Sequence, residues 1–292
     1  MAHDLTDFHP RDDLYPRSRW AWKPTFFRSP PSDAALRACG FDGCEWAPAK
    51  PRDAANLLLL FHGLGDAPAA FARFAASLAL PQTSALAVRG PLPLPLDLPG
   101  RMWHDSFDAD GEMLNDHRRS TSLARERHRL RRLLHLLSSG CGWSCERIFL
   151  FGYAQGGVAA LDFLAHLEPG DGRLGGVVSW CGLPLPETPC IKPHTAAAAT
   201  PLLVVAGGHA HATVTPGDAR CLYEGYVGRQ TTTTEEESEE QSEEQSLRLL
   251  PAHGGEAMVQ SPTDVRLLME FWARHLALSS ALEDDPTIVR VS

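Results

Sequence analysis

Arg147-Ile-Phe-Leu-Phe-Gly-Tyr-Ala-Gln-Gly-Gly-Val-Ala-Ala-Leu161 is the stretch from which the rest of this chain is best read. The apolar run bounded by Glu146 and Gly152 has the pattern of a strand buried on both faces, and the Ala/Leu/Phe-rich run behind Gly156-Gly157 that of a helix leaving it at once. Between them there is room only for a sharp turn. In a G-x-S-x-G sequence the glycines allow a strained strand-to-helix elbow that pushes a serine hydroxyl into the open at the edge of a sheet. Here the elbow reads Gly152-Tyr-Ala-Gln-Gly156, with Ala154 where the nucleophile's oxygen is needed.

A second glycine turn lies upstream, in Leu57-Leu-Leu-Leu-Phe-His-Gly-Leu-Gly-Asp66. A His-Gly pair after a buried strand puts backbone N–H groups on a tight turn at the carboxyl end of the sheet, beside the elbow. Acyl transfer needs two such donors aimed at the developing oxyanion, and the N–H groups of Leu64 and Gln155 are expected to supply them whatever occupies position 154. The plainer reading makes His62-Gly63 a structural turn only. Its pairing with G-x-A-x-G, in this order, favours a hydrolase site.

Outward from these turns, strands alternate with helices. Residues 1 to about 30 are rich in Pro, Asp and Arg but carry Trp20, Trp22, Phe26 and Phe27, so 1–50 is expected to pack on the domain as an irregular arm. A first edge strand is placed near Phe41 to Trp46, and buried strands at Asn56 to Phe61 and Ser84 to Val88. Between the latter two, Asp66 is expected to cap a helix with Pro68 in its first turn and Phe71, Phe74 and Leu78 inward. Prolines make Gly90 to Gly100 an extended loop, running into Met102 to Phe107 and forming one wall of a pocket. Leucines at helical spacing predict a helix over 123–139, started at Ser122, whose arginines (Arg125, Arg127, Arg129, Arg131, Arg132) form a solvated outer face rather than a nucleic-acid surface. Beyond the elbow come strands over Leu174 to Trp180, Pro201 to Ala206 and Ser246 to Leu250, and helices around Ala219 to Tyr226 and Asp264 to Leu278, the last with Val265, Leu268, Met269, Trp272 and Leu276 on one face. The alternation implies an α/β fold with a mostly parallel sheet covered by helices on both sides. A disordered Glu-rich insert (229–246) and a loose tail (279–292) complete an expected single domain over 51–278.

Bulk properties narrow the class. A formal charge of −9 argues against general binding to nucleic acid or anionic membranes. Seven cysteines, an odd number scattered through 292 residues, do not form a disulfide framework, and the N-terminal residues lack the apolar core of a leader. No run reaches membrane-spanning length, so a cytoplasmic protein is expected.

Leu57 to Asp66, Pro81-Gln-Thr, Trp103 and Glu146 to Gly157 resemble the carboxylesterase/phospholipase/acyl-protein thioesterase branch of the α/β-hydrolases, a likeness spanning roughly residues 54 to 278 without the insert. The resemblance implies hydrolysis of carboxylic esters or acyl thioesters, without cofactor, by a Ser-Asp-His triad. Ala154 has no hydroxyl to activate. At the acid's place the sequence reads Gly207-Gly-His-Ala-His-Ala-Thr-Val-Thr-Pro216: His211 lies nearest, Asp218 is the closest carboxylate, and Glu187, after the preceding strand, is a further substitute. The base position offers His253 in Pro251-Ala-His-Gly-Gly, further from the final helix than in the family, whose histidine falls near Glu256; it either points into the site or is a loop residue. His62, Gly63 and Trp103 are expected to line the substrate pocket.

Other chemistry is weaker. Cys181, just after a strand, has no adjacent base and reads as a structural thiol. Neither His209 with His211 nor Cys141 with Cys145 completes a metal site, so no metal is expected. Three departures in one triad point to a pseudo-hydrolase that keeps an acyl-, lipid- or acylated-protein-binding pocket. Two alternatives stand: an active esterase or thioesterase with its serine replaced by alanine, and an interaction protein that docks its acidic insert on a partner.

Overall fold

The computed structural model describes residues 28–49, 54–108, 110–206, 216–228, 245–249, 258–259 and 261–278. The expected aromatic arm to Phe27, the Glu-rich insert from 229 to 244, the tail and the two histidines His211 and His253 lie outside them, while Gln245 and Ser246, expected as the end of the insert, open a strand instead.

Among the described residues seven strands form one sheet in the spatial order β1-β3-β2-β6-β7-β8-β9: β1 (Cys44–Ala47), β2 (Asn56–Phe61), β3 (Thr83–Val88), β6 (Ile148–Tyr153), β7 (Gly176–Trp180), β8 (Leu202–Ala206) and β9 (Gln245–Leu249). Only β1 runs antiparallel, against β3; the other neighbours are parallel. Every residue of β2 and β6 is buried, because helices cover both faces. Leu57, Leu59 and Phe61 join one apolar core with α1 (Asp33–Cys39), α3 (Asp116–His135), α4 (Gln155–Ala165) and α5 (Pro216–Val227). Leu58 and Leu60 join the other, with α2 (Pro68–Leu78) and α6 (Pro262–His275). This is the expected doubly covered, mostly parallel α/β sheet. From β2 the chain turns outward to β3 and then returns to β6 on β2's other side, so the carboxyl ends of β2 and β6 flank a topological switch point.

Several boundaries differ from expectation, each for a local reason. Residues counted with the arm supply α1 and β1, and Leu36, Cys39 and Phe41 are buried in the core. The N-cap of α2 is Ala67, without a side-chain cap; Asp66 instead closes the preceding turn through its N–H to the Gly63 carbonyl (3.2 Å). The proline segment is not simply extended, since Leu92-Pro93 (β4) pairs with Arg101-Met102 (β5) in a short antiparallel ribbon. Helix α3 begins at Asp116 behind the N-cap Asn115, whose side chain accepts from the Arg118 N–H (3.0 Å). Ser122, expected as the cap, is buried inside the helix and donates to the Asp105 carboxylate (3.0 Å). In α6 the inward face is Leu268, Phe271 and Trp272, whereas Val265 is 40% exposed; a Ser261/Asp264 capping box starts the helix.

The arginines of α3 divide. Arg127 forks onto the buried Asp162 carboxylate of α4 (both contacts 3.0 Å), Arg129 pairs with buried Glu126 of its own helix and donates to the Gly40 carbonyl (2.8 Å), and Arg131 reaches Glu168 (2.7 Å). These three tie the helix to its neighbours instead of forming a solvated face; Arg125 and Arg132 are exposed. Among the described residues no helix is long and apolar enough to cross a membrane.

Candidate active site

The elbow is made by close backbone approach. A Cβ on Gly152 would overlap the carbonyl of Gly156, one on Gly156 the carbonyls of Phe61 and His62, and one on Gly157 the Ser179 hydroxyl. Only glycine lets α4 start against the end of β2. Between them Ala154 sits at φ 47°, ψ −113°, a conformation that costs a non-glycine residue on the order of 1–3 kcal/mol. Its N–H donates to the Trp180 carbonyl (2.7 Å), which fixes the turn to β7. The side chain at the apex is a methyl group, so the strained geometry presents no nucleophile.

The facing turn is held by side chains. The His62 ring is fully buried: Nε2 accepts from the Gly90 N–H (2.8 Å), which leaves the proton on Nδ1, donated to the Gly63 carbonyl (2.7 Å). Burial lowers its pKa, with Arg89 adding to the fall and the Gly63 carbonyl and Asp66 opposing it. With both nitrogens committed, His62 is a neutral strut joining the turn to the proline segment, not an exposed pocket wall or a free base. Trp103 is also fully buried, its Nε1–H donating to the His62 carbonyl (2.9 Å) and its ring 4.5 Å from that of Phe61.

Gln155 completes the frame. Its Oε1 accepts from the Trp103 N–H (2.7 Å), while its Nε2 donates to the His104 carbonyl (3.0 Å) and the Ser106 hydroxyl (2.7 Å). His104, 3% exposed, has its pKa lowered to about 4 by burial. One carboxamide thus binds the first residue of α4 to the 103–106 loop. The backbone N–H groups of Leu64 and Gln155 engage no partner among the described residues; that of Gln155 opens α4, where the helix supplies no acceptor. The two turns that carry these N–H groups are in close contact, Gly156 lying against the Phe61 and His62 carbonyls.

A model of the Phospholipase/Carboxylesterase family matches residues 44–212, which include both turns. The chain belongs to this family. Among curated proteins it is 35% identical over 147 residues to an uncharacterized hydrolase of Mycosarcoma maydis (48% of this chain, 53% of that one). It is 38% identical over 140 residues to an uncharacterized hydrolase of Schizosaccharomyces pombe (46% and 56%). The chain spans about half the length of these relatives. Its fold is that of esterase PE8 (17% identity, TM-score 0.60, covering 80% of this chain and 98% of that one). Zea mays acyl-protein thioesterase 2 shares it as well (16%, 0.57, 80% and 99%).

The family's remaining triad places are not drawn together by the described residues. Asp218 is exposed in the first turn of α5, where a carboxylate suits the helix dipole, and Glu187 is exposed on the connection after β7. Cys181 is half-buried at φ 58°, packed in the same apolar cluster as Ala154, with its N–H donated to the Val205 carbonyl (2.7 Å). No group of three metal-ligating side chains occurs among the described residues. The pattern of the sequence pointed to Ala154, Leu64 and Gln155 as backbone positions; the roles of the Gln155 carboxamide, His104, Ser106 and Gly90 left no trace in spacing, since each depends on a contact between distant segments.

Proposed function

We propose that this member of the Phospholipase/Carboxylesterase family is a pseudo-hydrolase: it binds a carboxylic ester or acyl thioester, of a small molecule, lipid or acylated protein, without turning it over. The observation that carries this is Ala154 at the apex of an otherwise complete elbow, beside two unengaged N–H donors. A triad acts as a unit, and without its nucleophile only binding and the oxyanion donors remain, a loss on the order of a millionfold in a serine protease dissected this way. Departures at the places of His211 and His253 support an old loss rather than a single one. The test is incubation with short acyl esters and a serine-directed fluorophosphonate; binding of a non-hydrolysable acyl ether without turnover or labelling is expected, and robust turnover overturns the reading. The rival, an active enzyme presented with its serine replaced, rests on the same intact elbow and predicts recovered hydrolysis in Ala154→Ser.

A further inference from the structure

Outside the site, α3 presents an outward seam. From Arg118 onward its exposed residues are Arg118, Thr121, Arg125, His128, Arg132 and His135. They recur at alternating steps of three and four, the spacing by which one helix faces another along a shared line, and the row is about 25 Å long at a rise of 1.5 Å per residue. No carboxylate interrupts it: Glu126 is buried and paired with Arg129. The other arginines of this stretch are taken up by the fold, Arg127 by Asp162, Arg129 by Glu126 and the Gly40 carbonyl, and Arg131 by Glu168 and Asp171. Arg118, Arg125 and Arg132 form no ion pair among the described residues, and Arg132 donates to the Cys39 carbonyl.

The three exposed arginines stand seven residues apart, an interval of about 10.5 Å along the helix. That interval decides which anionic partner fits. Acidic side chains on one face of an extended peptide recur every ~6.7 Å, so they are about 3–4 Å out of step by the second arginine. A helix repeats the 10.5 Å interval itself, and a crossing of about 20° keeps two such seams together over three repeats. We propose that the outward row of α3 docks a helix of a partner protein that presents acidic side chains at seven-residue spacing. Arg118, Arg125 and Arg132 each meet one carboxylate, and Thr121, His128 and His135 fill the positions between them.

The surroundings favour a narrow partner. On one flank Arg131 is already paired with Asp171 and with Glu168, which is itself exposed. A duplex or a bilayer spreads beyond one helix and would bring its charge against these carboxylates, on a chain whose formal charge is −9. An acidic helix touches α3 along a single line. Exposed pairs are weak one at a time, so the docking needs all three in register and is sensitive to salt.

The test uses the full chain, low ionic strength and a fluorescein-labelled helical peptide of three seven-residue repeats, with glutamate at the first and fourth positions of each and alanine or glutamine elsewhere. A control peptide of the same composition has its glutamates spread round the helix. Fluorescence anisotropy should show the in-register peptide binding at least tenfold more tightly than the control. Arg118→Gln, Arg125→Gln and Arg132→Gln together should remove that binding, as should salt of about 0.3 M. Arg118→Gln with Arg125→Gln leaves the Cys39 contact in place and should by itself weaken binding at least tenfold, so the outcome does not hang on the folding of the triple variant. Equal binding of the two peptides, binding of neither, or binding that survives the arginine substitutions overturns the proposal. Tighter binding of a single-stranded oligonucleotide or of phosphatidylserine vesicles through the same arginines also overturns it, because the occupant would then be a different polyanion.

Discussion

The two turns at the carboxyl ends of β2 and β6 lie against each other yet are built in opposite ways. The elbow is shaped by missing side chains: Gly152, Gly156 and Gly157 let three backbone segments approach more closely than any Cβ allows. The His62 turn is shaped by side chains reaching across the molecule, with His62, Trp103 and Gln155 joining residues 28 to 52 positions apart. A glycine pattern survives in sequence as a local signature. A clamp between distant segments does not.

Adding one carbon to the elbow should have the largest effect. Gly156→Ala puts a methyl group into the Phe61 and His62 carbonyls, which cannot move without breaking the β2–β6 pairing. A loss of about 3 kcal/mol or more is expected in urea unfolding, and an unchanged midpoint would show that the approach is not tight. In the side-chain clamp that reaches out from the end of the elbow, Gln155→Ala leaves the buried Trp103 N–H without its acceptor and the His104 carbonyl without its donor. A cost of about 2–4 kcal/mol follows for the unsatisfied groups, with increased amide exchange confined to 103–106. Exchange spread evenly over the domain would contradict the clamp.

Proton linkage separates the two further, since the elbow has no side chain that ordinarily titrates between pH 4 and 7, Tyr153 being a phenol. His104 and His62 both have folded-state pKa values below the ordinary 6.5, burial being the leading cause. The unfolded chain therefore takes up the proton first as pH falls. Stability is complete above pH ~6.5 and declines below it until the folded pKa is reached; for His104, whose folded value is about 4, that loss is about 3 kcal/mol. Urea midpoints from pH 7 to 4 should decline in the native chain and less steeply in His104→Gln. Parallel curves would remove this role. The smallest effect belongs to the apex: Ala154→Gly relieves the strain at φ 47° but raises the entropy of the unfolded chain, so a net gain of no more than about 1 kcal/mol is expected. A loss of similar size would mean that the conformation is not strained.

The same contrast explains what the sequence disclosed. Buried strands with apolar residues on both faces, the helix spacing behind Gly157 and the order of the two glycine turns led to the fold, because each is a local pattern. The first two turns of α3 were missed because Asp116 to Ser122 is polar and shows no apolar period; their start depends on one Asn115 cap. Three of the five α3 arginines read as solvated are engaged, since Asp162, Glu168 and the Gly40 carbonyl meet Arg127, Arg131 and Arg129 only once the helices pack. Asp66 looked like a cap because it precedes Pro68, but the cap position falls one residue later, on Ala67, whose methyl group cannot accept a hydrogen bond. For the site, position 154 was legible outright and the Gln155 carboxamide not at all.

The central claim is that the elbow retains its shape without its chemistry. Its most direct measurement is short-ester hydrolysis together with fluorophosphonate labelling, located by peptide mass spectrometry, for the chain as it stands and for Ala154→Ser. The account predicts no turnover and no label in the native chain, and turnover that stays at background in Ala154→Ser because the acid and base places have also diverged. Brisk hydrolysis by the native chain would contradict it outright; recovery by Ala154→Ser to ordinary enzymatic rates would show that only the hydroxyl was missing.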